Sequence, residues 1–210
     1  MDSRVFEDIL RGSGSFLDNF LLNAKKMEKE KQKALFVAST RGHLKLVKQL
    51  LEIGVDLTYE EEGWTIFGVA ASYGHVAVMQ ELVRHGMKVN QQSTRGWSAL
   101  HLAACNKEVE AVHWLLKMNA DIDITDKKGK TALMCAAHHE SIEIVNLLIE
   151  YGADVLVKDM LGRDAYTIAM QKGNVKIAHL IKEAVKERLG KIKILSSKNN
   201  GVYAQPNQRD

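Results

Sequence analysis

The sequence has little proline and little cysteine. A single proline, Pro206, occurs among 210 residues, and the 15 glycines are spread along the chain, which fits a stack of small units. Two cysteines, Cys105 and Cys135, are too few for the disulfide framework of a small secreted domain. We therefore expect a reducing, intracellular location: the cytoplasm first, with the nucleus as the alternative.

Strong charge of one sign and long apolar runs are also lacking. The formal charge of +3 leaves no basic surplus for a phosphate backbone, so a specific nucleic-acid partner is not expected. No apolar run approaches the roughly 18 residues of a membrane-spanning helix. Asp2, Glu7 and Asp8 stand where a signal peptide would be basic. We expect a soluble chain without a membrane span.

What the sequence does contain is a repeat of 33 residues. Glycine recurs at that spacing at Gly63, Gly96, Gly129 and Gly162. Alanine follows each glycine seven residues later, and apolar residues at spacings of three and four then mark the buried face of a second helix. A copy upstream, with a shorter loop, brings the count to five. The pattern predicts an all-α repeat solenoid of helix-turn-helix units.

The repeats divide the chain into three predicted segments. Residues 1–30 are expected to form an N-terminal capping segment, with a helix from Phe16 through Lys31. The alternative is that this helix docks on a partner or on a second copy of the chain, as in a homodimer. Residues 190–210 are polar and aperiodic and are expected to form a flexible tail. The repeats fill 31–189, at about 31–62, 63–95, 96–128, 129–161 and 162–189.

The repeat resembles that of the ankyrin family. Three stretches carry the resemblance best: Gly96–Ala104 (GWSALHLAA), Gly129–Ala137 (GKTALMCAA) and Gly152–Asp154 (GAD). The resemblance implies β-hairpin-like loops that project as fingers, and first helices that line a concave groove. Stacking buries the positions that repeat, so a partner is expected to contact the positions that vary.

The sequence departs from the ankyrin pattern at two places. No repeat has proline at the fourth position, although capping residues remain before it at Thr65, Ser98, Thr131 and Asp164. The third and fourth repeats also lack the glycine–histidine pair between their helices, where Lys107 and Glu140 take the place of glycine. We expect these two inter-helix turns to be looser than the others.

Two tryptophans mark the predicted centre of binding. Trp64 and Trp97 occupy the same position in neighbouring fingers, and Tyr59, Tyr73 and Arg95 are expected to lie near them. Tryptophan, tyrosine and arginine dominate interface energetics. The alternative is that each tryptophan only packs on the next finger.

Charge changes sign along the same edge. The first finger carries Glu60, Glu61 and Glu62, and the later fingers are basic. Such a gradient would orient an elongated peptide, unless the charges form only a solvated surface. The further candidate partner-binding residues at this edge and at the ends of the first helices are Asn106, Lys128, Lys130, His138, His139 and Arg163.

Catalysis, cofactors and metals are not expected. A group of histidines and cysteines lies close in sequence and could meet across the stack, but its spacing is not that of a zinc site, and no nucleophile is paired with a base. Cys135 is expected to be a small buried apolar group. The resemblance implies that His101 makes a structural hydrogen bond within its loop. The group is His101, Cys105, Cys135, His138, His139 and Glu140.

Asn90 is a candidate modification site. It follows Val89 in a finger loop, eight residues after Leu82. This resembles the context in which ankyrin asparagines are hydroxylated in animal cells.

The leading functional prediction is a non-catalytic protein-binding module, an adaptor or scaffold, which holds a partner protein or peptide in the groove and finger loops. Two alternatives remain open. In the first alternative the chain is a self-associating structural unit. In the second it is the N-terminal targeting part of a larger multidomain protein.

Overall fold

Between residues 28 and 200, the chain forms five pairs of helices and one short hairpin. The computed structural model describes residues 28–200, except for the side chains of residues 189 and 191–200. The first helix of each pair is α1 (Glu28–Arg41), α3 (Ile66–Ser72), α5 (Ala99–Cys105), α7 (Ala132–His138) and α9 (Ala165–Gln171). The second helix of each pair is α2 (Leu44–Glu52), α4 (Val76–Arg84), α6 (Val109–Lys117), α8 (Ile142–Glu150) and α10 (Val175–Asn200). The predicted all-α solenoid of five repeats is confirmed.

Side-chain caps define where the short first helices begin. The side chain of each capping residue accepts a hydrogen bond from the backbone N–H three residues further on. This bond satisfies one of the N–H groups that the first helical turn leaves without a partner. The helices therefore begin at the predicted places without proline, and the caps are Thr65, Ser98, Thr131 and Asp164.

The turns between paired helices are alike whether or not they contain glycine. Lys107 and Glu140 take the left-handed conformation, with φ of 65° and 61°, just as Gly74 does at 67°. The next residue in each case donates a backbone hydrogen bond to a carbonyl five residues earlier, over 2.9 to 3.0 Å. The expectation of looser turns in the third and fourth repeats is wrong. The two residues adopt the strained conformation and keep the bonds, at a cost of about 1 to 2 kcal/mol each.

Small residues let the first helices pack closely on one another. Ala70, Ala103, Ala136 and Ala169 have no exposed surface. Larger side chains on the second helices, among them the fully buried Leu82, Leu115, Leu148 and Ile181, close the other side of the same continuous core. The helices are thus held mainly by their neighbours in the stack.

The finger loops are tied to one another by backbone groups. In the first finger, β1 (Glu60–Glu61) pairs antiparallel with β2 (Trp64–Thr65). Further along, the Lys127 N–H donates to Arg95 O at 3.4 Å, and the Met160 N–H donates to Lys128 O at 2.9 Å. These hydrogen bonds fix the position of each of these fingers relative to the next one.

The described helices extend past both predicted bounds of the repeat domain. Helix α1 is described from Glu28, the first residue in the described range, and residues 16–27 of the predicted capping helix lie outside that range. At the other end, α10 continues to Asn200 through a segment expected to be a flexible tail. This segment contains no proline and one glycine, Gly190, so nothing in it ends the helix. The rest of the predicted tail, 201–210, lies outside the described residues.

Between residues 28 and 200, none of the helices has the length and apolar character needed to cross a membrane.

Candidate functional site

Three cavities lie in a row between the fingers and the first helices. The acidic pocket, of about 360 Å³, is lined by Phe36, Thr40, Glu61, Glu62, Trp64, Val69 and Tyr73. The tryptophan pocket, of about 580 Å³, is lined by Gly63, Trp64, Thr94, Arg95, Trp97, Leu102, Asp126, Lys127 and Lys128. The basic pocket, of about 280 Å³, is lined by Trp97, Cys105, Lys130, Met134, Cys135, His138, His139, Arg163, Ile168, Gln171 and Lys172. Trp64 and Trp97 are each shared by two neighbouring pockets, so the three form one groove.

The tryptophan pocket is the largest of the three, and it is mainly apolar. Trp64 and Trp97 form its two walls, both half-buried, and the buried Leu102 lies between them. The Arg95 side chain lies across the backbone of Gly63, where a Cβ atom would stand only 2.5 Å from Arg95 Nε. Because Gly63 has no side chain, the Arg95 side chain has room to lie at the rim of the pocket.

A buried histidine connects the tryptophan wall to the next finger. Ser98 Oγ–H donates to His101 Nδ1 at 2.8 Å, and His101 Nε2–H donates to Lys130 O at 2.7 Å. The ring of Trp97 lies 6.1 Å from that of His101. Burial lowers the pKa of His101, so the ring stays neutral and keeps one donor and one acceptor. The implied structural hydrogen bond of His101 is thus present, and it reaches the following repeat.

Only two of the three glutamates in the first finger line the acidic pocket. Both carboxylate oxygens of Glu60 accept from the Thr94 N–H, at 3.0 and 2.9 Å, and one of them also accepts from the Thr94 hydroxyl. Glu60 therefore forms its hydrogen bonds within the stack, to the next finger. Glu61 and Glu62 lie at the pocket, together with the aromatic rings of Trp64 and Tyr73.

The basic pocket collects five basic side chains and no carboxylate. Arg163 is partly neutralised, because its guanidinium donates to Asp159 Oδ2 at 2.7 and 3.0 Å. Within the described part of the chain, no carboxylate lies within 4 Å of the ammonium groups of Lys130 or Lys172. Burial and the neighbouring cations lower the pKa of His138 and of His139.

The two cysteines meet in the basic pocket. Their thiols are hydrogen-bonded to each other, which together with burial raises the pKa of Cys135 well above its ordinary value. The same hydrogen bond, assisted by the charge of Lys130, lowers the pKa of Cys105. Cys135 is 5% exposed, as expected of a small apolar group, while Cys105 is half-buried. No group of three or more histidine, cysteine or acidic side chains in residues 28–200 is placed to hold a metal ion.

The structure brings most of the predicted partner-binding residues to the groove. Trp64, Trp97, Arg95 and Lys128 line the tryptophan pocket, and Tyr73, 57% exposed, lines the acidic pocket. The basic pocket includes Lys130, His138, His139 and Arg163.

Two predicted binding residues make contacts within the stack and lie outside the three pockets. Tyr59 is half-buried and packs edge-on against Phe36, with ring centroids 5.9 Å apart. The Asn106 amide donates to Ser72 Oγ at 2.6 Å and to Leu102 O at 3.3 Å, and so connects two repeats. Both residues support the groove, but neither lines any of its three pockets.

Asn90 also makes a bond between repeats. Its side-chain oxygen accepts from the Asp121 N–H at 2.8 Å, and one repeat later Asp123 Oδ1 accepts from the Asp154 N–H over the same distance. Asn90 is otherwise exposed. Its hydroxylation stays a prediction.

The basic pocket also contains Lys172, and it brings together the two thiols, whose contact the sequence left open. The 33-residue period holds a signal for both. Lys172 stands one period after His139, at the C-cap of the following first helix. Cys135 stands one period after Leu102, which is one helical turn before Cys105, so the two thiols are neighbours across the stack.

Comparison with known proteins gives the family. The sequence profile of ankyrin repeats (three copies) matches residues 9–93, 35–126, 67–159 and 100–191, which overlap. An ankyrin repeat and KH domain-containing protein of Caenorhabditis briggsae is 35% identical over 68 residues, a stretch covering 32% of this chain and 3% of that relative. Ankyrin repeats are generally non-catalytic modules that bind other proteins. Because the profile matches from residue 9 to residue 191 and the described helices stack as its repeats do, this chain belongs to the ankyrin-repeat family.

Proposed function

We propose that this chain is an intracellular adaptor or scaffold module that binds a segment of a partner protein along the groove of the three pockets. The observation that carries the proposal is the tryptophan pocket. Its volume of about 580 Å³ lies within the roughly 300 to 1,000 Å³ typical of binding cavities. Two half-exposed tryptophans facing one apolar cavity are typical of the anchor of an interface.

The anchors are already ordered before any partner binds. Trp64 lies in β2, which pairs with β1, and the Trp97 N–H donates to Ser93 Oγ at 3.2 Å while its carbonyl accepts from the Ser93 N–H at 2.9 Å. Little ordering entropy is therefore lost when a partner covers the two rings. Rigid aromatic walls also favour a partner that places a large apolar side chain between them.

The test is truncation of the walls. Partners captured from cell extract should bind the Trp64→Ala and the Trp97→Ala variants at least about tenfold more weakly, or about 1.4 kcal/mol. Helicity and melting temperature should stay nearly unchanged, because both rings are half-exposed.

A third tryptophan gives the matched control. Trp114 lies on α6, and its ring packs edge-on against the buried Phe67 at 6.4 Å. The Trp114→Ala variant should lower the melting temperature and leave partner affinity unchanged. If the Trp64→Ala/Trp97→Ala double variant binds the captured partners as the unmodified chain does, the groove is not the binding site.

A further inference from the structure

We propose that the groove selects an extended peptide segment with a basic side chain in the acidic pocket, a large apolar side chain in the tryptophan pocket and a carboxylate in the basic pocket. This inference rests on the proposed function and specifies the chemistry of the partner. It is carried by the repeat register of the pocket residues, by their charges, and by which of those charges are already paired within the stack.

The three pockets are equivalent subsites of one repeating surface. Their floors include Val69, Leu102 and Cys135, which occupy one repeat position at intervals of 33 residues. Each pocket therefore lies one first helix further along the stack than the one before. A single extended segment that crosses the stack passes all three in order.

The spacing of the peptide side chains follows from this register. Packed helices lie about 8 to 10 Å apart, and a segment in the extended polyproline-II conformation advances about 3.1 Å per residue with three residues per turn, so that every third side chain faces the groove. Neighbouring pockets are thus separated by about three residues of the bound segment. The expected pattern has its three determining side chains at every third position.

The chemistry of the walls changes from aromatic to cationic along two repeat positions. The position of Trp64 is occupied in successive repeats by Trp97, Lys130 and Arg163. The C-cap of the first helix changes likewise in the successive repeats, which carry Tyr73, Asn106, His139 and Lys172. The two positions face each other across the groove, so both of its sides become cationic at the same end.

Pairing within the stack leaves net charge of opposite sign at the two ends. Thr94 holds the Glu60 carboxylate away from the pocket, and Asp159 offsets much of the Arg163 charge. Glu61 and Glu62 remain at the acidic pocket, and Lys130 and Lys172 remain at the basic pocket. A carboxylate is the partner group that offsets the crowded cations of the basic pocket, and its attraction to several of them opposes the cost of its desolvation. An ammonium or guanidinium group fits beside Glu61 and Glu62, over the faces of Trp64 and Tyr73.

The test uses two fluorescein-labelled nine-residue peptides in a serine background. One has lysine second, phenylalanine fifth and glutamate eighth, and the other has lysine and glutamate exchanged, because the groove does not fix the chain direction. Anisotropy measured with the full chain should show binding of at least one peptide. Binding weaker than about 1 mM for both would overturn the proposal.

The charge assignment is tested on the peptide that binds better. Glutamine in place of its glutamate should weaken binding to the unmodified chain about tenfold. In the Lys130→Gln/Lys172→Gln variant, the glutamate peptide and its glutamine version should bind with equal affinity. In the Lys130→Glu/Lys172→Glu variant a peptide with lysine in place of glutamate should bind better than the original peptide.

A matched variant separates local charge from net charge. Lys117→Gln/Lys176→Gln removes the same charge from exposed sites on the second helices, α6 and α10, and should keep the preference for glutamate. Loss of the preference in this variant would refute the assignment to the basic pocket. A phosphoserine peptide that binds more than about tenfold tighter than the glutamate peptide would replace the carboxylate by a phosphorylated segment.

The outcomes distinguish this inference from the proposed function. If the peptides depend on Trp64 and Trp97 but are insensitive to the charge changes, the groove binds protein segments and the charge pattern is wrong. If they depend on neither the tryptophans nor the lysines, they do not occupy the groove and this inference fails, whereas the proposed function is decided by the captured partners and the tryptophan variants.

Discussion

The stacking face and the groove use the same repeat in opposite ways. On the stacking face, Ala70 is matched by alanine in every later repeat, and none of these alanines has exposed surface. At the wall of the groove, the position of Trp64 holds tryptophan twice and then lysine and arginine. Repetition thus serves stability, because each unit must fit the next one, and the proposed recognition relies on the positions that vary.

The largest expected effect contrasts a single repeat position in two environments. Ala104 is fully buried, whereas Met170, at the same position two repeats later, is 47% exposed. Met170 lies on α9, the first helix of the last pair. Ala104→Asp should destabilise the chain by at least about 3 kcal/mol, because the new carboxylate is buried without a partner. Met170→Asp should change stability by no more than about 0.5 kcal/mol. Urea denaturation measures both variants, and equal losses would show that the position is not controlled by stacking.

A second prediction concerns pH and the buried link between stack and groove. The pKa of His101 is lowered in the folded chain from an unfolded value of 6.5. Its contribution to stability is therefore present above pH 6.5 and is lost as the pH falls through the folded pKa. The slope in that range is at most about 1.4 kcal/mol per pH unit. Denaturation midpoints between pH 7.5 and 5 should show this slope.

The His101→Gln variant identifies the source of that slope. It should have a smaller pH dependence than the unmodified chain, whatever its stability at pH 7.5. His138 and His139 also have lowered pKa values and remain in the variant, so some dependence should persist. An unchanged slope would assign the whole effect to the other groups.

A third prediction tests the strain in the turns without glycine. Glu140 has a φ of 61°, so Glu140→Gly should stabilise the chain by about 1 kcal/mol. Gly173 occupies the same turn position one repeat later, with φ of 73° and nothing within 4 Å of a built Cβ. Gly173→Glu should therefore cost a similar amount through the backbone alone. Opposite signs in thermal denaturation confirm the prediction, and like signs contradict it.

The smallest expected effect sharpens the view of the groove rim. Lys127→Glu/Lys128→Glu should slow association with captured partners and change stability little, because both side chains are exposed. High salt should remove most of the difference, since exposed charges are screened over about 10 Å at 0.1 M salt. Stopped-flow or surface-binding kinetics at two salt concentrations check this. A change confined to the dissociation rate and insensitive to salt would instead indicate a direct, desolvated contact.

Much of the fold could be read from local signals. The caps Thr65 and Ser98 lie within one turn of the groups they bond, and the alanines recur at a fixed period, so helix starts and the stacking face follow from residue type and spacing. The expectation of looser turns at Lys107 and Glu140 was wrong, because preference for glycine is a matter of energy and tertiary packing overcame it. The helix beyond Gly190 was missed because polarity was taken as a sign of a flexible tail.

The sequence by itself determined the period, the helix pairs and the buried positions, because each of these depends on neighbours within a helical turn or on a repeat of constant length. Tertiary structure alone decided which charges remain at the groove. Glu60 accepts hydrogen bonds from Thr94, Arg163 is paired with Asp159, Cys105 meets Cys135 across the stack, and two tryptophans enclose one cavity. These outcomes depend on side-chain distances of a few ångströms, several of them between residues about one repeat apart, and residue type and spacing do not specify such distances.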